Sequence, residues 1–174
     1  TGVSVNLTAG TTGGDAAGDS LVSVEYLTGA SSGANSLVGD SGTNSLTGGS
    51  GADTLDGSTG NDTLVGLGGN DVYIVDAAGD VVTDSAGTDE VRTALTAYTL
   101  AANIETLTYT GGAVATSLAG NTLDNTITGG TGADTLDGLT GNDSLVGGQG
   151  NDVYTIDVLT DAILENVSEG TDTV

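Results

Sequence analysis

Aspartates recur every nine residues in this chain. Asp53, Asp62, Asp71, Asp80 and Asp89 form one series, and Asp134, Asp143, Asp152 and Asp161 form a second. A carboxylate offers a hard anionic oxygen, suited either to cation ligation or to acid–base work. Composition chooses between the two. The chain has no Cys and no His, so the thiolate and imidazole ligands of zinc and most transition metals are missing. Only oxygen ligands remain, and calcium is the cation they suit. Catalysis by paired carboxylates, as in glycoside hydrolysis, needs two acids in one cleft with unequal surroundings. These acids instead recur identically along the sequence, and no His or Cys can act as base or nucleophile. No enzymatic activity is expected.

The charge balance narrows the partners. Against 24 acidic residues stands a single basic one, Arg92, for a formal net charge of −23. A folded chain with that imbalance repels itself unless cations neutralise it. Nucleic acid and anionic membranes are poor partners for such a surface. No apolar run approaches the roughly 20 residues of a membrane span, so no membrane insertion is expected. Five Tyr are the only aromatics, which leaves a ladder of Leu, Val and Ile to form the core.

The acids sit in a nine-residue unit, G-x-x-G-x-D-x-U-x, where U is a large apolar residue. Three units run end to end from Gly48 to Ile74 and three more from Gly129 to Thr155, and the two stretches match at 21 of 27 positions. The U positions hold Leu55, Leu64 and Tyr73, then Leu136, Leu145 and Tyr154. Glycines at the first and fourth positions are expected to take positive φ and turn the chain tightly. The bent backbone then points carbonyls inward, beside the aspartate. The three residues after each aspartate predict a very short strand with one apolar side chain buried. A strand that short cannot bury enough surface alone and must stack on neighbours.

These units resemble the repeats-in-toxin (RTX), or haemolysin-type, calcium-binding nonapeptide family, and six strong tandem copies make the match specific. The resemblance implies an all-β fold, a right-handed parallel β-roll solenoid with two repeats per coil and calcium-binding turns. It further implies several calcium ions, each held between one turn and the turn two repeats later. On that pattern Asp53 pairs with Asp71, Asp62 with Asp80 and Asp71 with Asp89. In the second block Asp134 pairs with Asp152 and Asp143 with Asp161. Mixed pairs, Asn44 with Asp62 and Asn125 with Asp143, are expected to be weaker, because an amide oxygen carries no charge.

The register divides the chain. Residues 1–29 read as irregular β lead-in coils, with one alternating run at Val3, Val5 and Leu7 and another at Val22, Val24 and Tyr26. Residues 30–92 form the first calcium-binding block, opening on two degenerate units that carry Asn35 and Asn44. Residues 93–110 read as a β-rich spacer, 111–164 as the second block, and 165–174 as the start of a further spacer. The blocks are offset by 81 residues, nine nonapeptides. At two nonapeptides per coil the chain would hold about nine or ten coils.

The duplication, and ends that fall within the pattern, suggest a slice of a large secreted bacterial surface protein. The expected function is structural: a calcium-stabilised segment of an S-layer, filament or large adhesin that folds on meeting calcium outside the cell. The expected location is extracellular, at the bacterial cell surface, and the expected partners are calcium and either further copies or cell-surface components. The alternative is a calcium-dependent folding and secretion tail of a type I-secreted enzyme.

Overall fold

One apolar side chain per nonapeptide is too little for a conventional core, and the protein solves this by stacking. A computed structural model describes residues 2–8, 10–14, 24–165 and 169–174. The chain divides into two compact units, Thr1–Asp89 and Glu90–Val174. Every described element is a strand, so no described helix is long and apolar enough to cross a membrane.

In the first unit the strands are β1 (Val3–Asn6), β2 (Thr11–Gly14), β3 (Tyr26–Thr28), β4 (Ser36–Val38) and β5 (Ser45–Gly49). They continue with β6 (Thr54–Asp56), β7 (Thr63–Leu67), β8 (Val72–Val75) and β9 (Val81–Thr83). Alternate strands pair in parallel, β1-β4-β6-β8 on one face and β3-β5-β7-β9 on the other. Register places each buried residue over its equivalent one coil away. Leu37 pairs with Leu55 and Leu55 with Tyr73, while Leu46 pairs with Leu64 and Leu64 with Val82. Leu37, Leu46, Leu55, Leu64 and Tyr73 are fully buried. Each such Leu contributes about 1.5–3 kcal/mol of burial.

The second unit repeats the plan with β10 (Glu90–Thr93), β11 (Ala97–Thr99), β12 (Thr106–Tyr109), β13 (Ser117–Ala119) and β14 (Thr126–Gly130). It ends with β15 (Thr135–Asp137), β16 (Ser144–Gly148), β17 (Val153–Thr155) and β18 (Ala162–Ile163). Its two faces are β10-β12-β14-β16-β18 and β11-β13-β15-β17. Val91, Leu107, Ile127 and Leu145 form one buried column. Both units are therefore parallel β-rolls.

Within the nonapeptide blocks a coil takes 18 residues, as in Leu37 to Leu55. The second unit departs from this where the glycines thin out. Glu90 pairs with Thr106 and Thr106 with Thr126, a 16-residue coil followed by a 20-residue one. Together these equal two regular coils, so the register survives the spacer.

Two expectations are corrected at the start of the chain. Among the described residues the lead-in supplies one coil rather than two, with β1 turning back into an antiparallel hairpin with β2 and Val5 stacking on Leu37. The described strands accordingly make four coils in the first unit, and four with the opening strand of a fifth in the second. Val22 lies outside the described residues. Tyr26 is 80% exposed and its neighbour Leu27 is the buried residue of β3, with Leu46 beneath it. The alternating run was thus read one residue out of phase.

Candidate metal centre

Each short strand is preceded by the sixth residue of its nonapeptide, so stacking the strands also stacks the aspartates. Their carboxylates turn inward. Asp53, Asp62, Asp71, Asp89, Asp134, Asp143 and Asp152 are all buried to within 2% of complete. One oxygen of each acts as a strut to the preceding coil. The N–H of Asn35 donates to Asp53 Oδ1 at 2.6 Å, that of Asn44 to Asp62 Oδ1 at 2.7 Å, and that of Asp53 to Asp71 Oδ1 at 2.8 Å. The ladder continues from Asp62 to Asp80 at 3.0 Å and from Asp71 to Asp89 at 2.7 Å. In the second unit Thr116 and Asn125 donate to Asp134 and Asp143, both at 2.8 Å. Asp134 donates to Asp152 at 2.7 Å and Asp143 to Asp161 at 3.0 Å.

The other oxygen is left over. Oδ2 of Asp53, Asp62, Asp71, Asp134, Asp143 and Asp152 is buried without a hydrogen-bond partner. A buried charged oxygen with nothing to bind is costly, and native structures rarely tolerate one. Six on a repeating pitch mark a place for a cation. Uncharged residues at the sixth position behave differently. Asn35 accepts from Val3 and Ala30 through Oδ1 and donates to Ala30 and Asp53 through Nδ2. Asn44 Oδ1 accepts the N–H of Asp40, and Asn125 donates to the carbonyl of Ile104. The amides satisfy themselves, whereas the carboxylates do not.

Space for the carboxylates is made by the first-position glycines, and here the expectation of positive φ is corrected. None of those six glycines lies in the left-handed region. A Cβ on Gly57 would instead land on the carboxyl group of Asp62, and the other five stand in the same way over their own aspartates. The fourth-position glycines follow the original reasoning at Gly69, with φ 121°, where a side chain would also strike the Gly51 carbonyl one coil below.

Electrostatics agree with the orphaned oxygens. Burial raises the Asp71 carboxyl from 3.8 to about 6, offset in part by the Asp53 N–H and reinforced by the negative charge of Asp53 and Asp84. Burial likewise raises Asp62, Asp89, Asp143 and Asp152. Arg92 gives no relief: it pairs with Glu90 on its own strand at 2.8 Å, and Glu90 also accepts the Thr108 hydroxyl.

A family model described as the RTX calcium-binding nonapeptide repeat (4 copies) matches residues 30–64, 47–82 and 119–154. The matches span both nonapeptide blocks and about half of the sequence. The chain belongs to the RTX calcium-binding repeat family. Compared directly with curated proteins, it matches none of them. RTX repeats are calcium-binding, and the donor set fits that ion: hard, anionic, buried and unpartnered.

The structure brings together, at one-coil spacing, each residue pair drawn from the RTX pattern. Asp80 and Asp161 differ from the rest in using their second oxygen as well, accepting from Asp76 and Ala77 and from Asp157 and Val158. Four further acids join these RTX ladders that the spacing alone did not select. Asp157 approaches Asp143 and Asp161, Asp84 approaches Asp71 and Asp89, and Glu165 and Asp172 approach Asp152. Asp172 had a signal, since GTDTV at its position matches GTDEV at Asp89. It takes the next rung, accepting the Asp152 N–H at 2.9 Å after a 20-residue coil.

Proposed function

We propose that this chain is a calcium-stabilised structural segment of a secreted protein at the bacterial cell surface, unfolded where calcium is scarce and folded outside. The observation that carries the reading is the column of buried Oδ2 atoms without partners. The ligands would be Asp53, Asp62, Asp71, Asp80 and Asp89, then Asp134, Asp143, Asp152 and Asp161, with Asn44 and Asn125 as weaker contributors. Bound calcium supplies the positive charge that the ladder lacks. The chain's own residues do the rest: the N–H struts fix each carboxylate, and the leucine column holds successive turns in register.

A structural role, rather than a tail serving an enzyme, is supported by the duplication. Two units share one internal plan at an 81-residue offset, as expected of a modular array. Electron microscopy and light scattering of the chain in calcium and in chelator test this. Ordered sheets or fibres appearing with calcium support the surface role. A chain that folds in calcium but stays a monodisperse monomer at every calcium concentration would overturn it in favour of the tail.

A further inference from the structure

The acids that the nonapeptide spacing passed over form a pattern of their own. In the first unit one carboxylate oxygen each from Asp71, Asp84 and Asp89 lies within 4.8 Å of the others, and all three residues are buried. In the second unit one carboxylate oxygen each from Asp152, Glu165 and Asp172 lies equally close, though only Asp152 is buried there and Glu165 is exposed. Glu165 stands 81 residues after Asp84, and a tyrosine hydroxyl holds each: Tyr73 donates to Asp84 Oδ1 at 2.8 Å, and Tyr154 donates to Glu165 Oε1. Asp84 is further fixed by the Ala86 N–H at 2.8 Å.

An acidic cluster alone would be no more than a crowded surface. The second observation is where the unpartnered oxygen points. Asp71 is 1% exposed and its Oδ2 has no hydrogen-bond partner. That atom, the Tyr73 hydroxyl and Asp84 Oδ1 converge on the same small volume over Gly66, each near enough to collide with a Cβ placed there. Over Gly147, Asp152 Oδ2 and the Tyr154 hydroxyl converge in the same way. Three carboxylates on one volume repel unless a cation joins them; a further trio, Asp143, Asp157 and Asp161, lies nearer solvent, with Asp157 exposed.

We propose that Asp71, Asp84 and Asp89 form a three-carboxylate calcium site of a second kind, with Asp152, Glu165 and Asp172 as its counterpart. Tyr73 and Tyr154 act as positioning residues that fix the added carboxylate. The inference rests on the calcium reading above. With one carboxylate more than a ladder rung, these sites bind calcium more tightly than the rungs, because affinity rises with ligand charge. They close the last strong nonapeptide of each block, where a tight ion pins the glycine-rich turns to the glycine-poor coil that follows.

Terbium, which replaces calcium at oxygen sites and luminesces when a nearby tyrosine is excited, tests the proposal on the whole chain. Wild-type protein gives strong tyrosine-sensitised emission that calcium chloride competes away. Asp84→Asn and Glu165→Gln each lower that emission by about half, as expected for two equivalent sites. The double variant loses most of it at low terbium, needs more calcium to fill those two sites in equilibrium dialysis, and still folds in calcium. Tyr73→Phe with Tyr154→Phe keeps every carboxylate, so it loses the emission while terbium stoichiometry is retained; this readout does not depend on the acidic variants folding. Calcium-driven folding of wild type with unchanged emission and calcium affinity in the acidic variants overturns this inference alone. Wild type that binds no calcium overturns the functional reading as well.

Discussion

Gly57→Ala separates the two reasons a glycine can open a repeat. If that glycine served backbone freedom, alanine at its ordinary φ would stabilise the fold by about 0.4–1 kcal/mol through the unfolded chain. The structure gives the opposite sign. The new methyl would land on the Asp62 carboxyl group. Asp62 is 1% exposed, and its Oδ1 is held by the Asn44 N–H at 2.7 Å. Overpacking of this kind costs about 1–3 kcal/mol, and the displaced carboxylate no longer presents Oδ2 to a cation. Urea denaturation in saturating calcium, followed by circular dichroism, reads the loss. Gly112→Ala is the control, since a Cβ there meets nothing within 4 Å; it should be neutral or slightly stabilising. A Gly57→Ala protein as stable as wild type would refute the assignment of first-position glycines to carboxylate space.

The sites should rank by charge: Asp71→Ala raises the calcium needed for folding more than Asn44→Ala does. Asp71 offers an unpartnered buried oxygen, whereas the Asn44 amide already accepts from Asp40, and equal effects in a calcium titration would refute the ranking. The calcium-free chain should respond to acid in an unusual direction. Burial raises the Asp71 carboxyl from 3.8 to about 6 in the folded state, so the fold keeps a proton that the unfolded chain releases. That contribution, roughly 3 kcal/mol at most, is fully present below about pH 3.8 and is lost as pH rises through about 6. In chelator the β signal should therefore be stronger near pH 4 than near pH 7.5, and a chelated protein that gains structure on alkalinisation contradicts the account.

Much of this was legible because the repeat writes structure into spacing. A Leu or Tyr every ninth residue fixed which side chains stack, and Leu37, Leu55 and Tyr73 do stack in one column. The aspartate ladder followed from the same register. What the spacing hid lies where the register breaks or where side chains reach across it. Asp84 and Glu165 stand at the first position of the register, where the strong repeats carry glycine, and enter the cluster through tyrosine hydroxyls, a contact set by tertiary stacking. Asp172 lay beyond a 20-residue coil that nine-residue counting does not anticipate. The phase error at Tyr26 arose where a three-residue strand gives too short an alternation to place its buried residue. The role of Gly57 was hidden for a different reason: a glycine needed for space and one needed for φ are identical in sequence.

The central claim is that calcium and the carboxylate ladder fold together. Stacking must offset roughly 1–2 kcal/mol of backbone entropy per residue, in a chain with a net charge of −23 and few large side chains. Extracellular calcium modules bind at about 10⁻⁴–10⁻³ M, so folding should switch on across that range. Far-ultraviolet circular dichroism at pH 7.5, titrating calcium into the chelated protein, measures this directly. The account predicts an unfolded spectrum in chelator and a cooperative rise of β signal within that range, reversed by chelator. A full β spectrum that persists in excess chelator would contradict it.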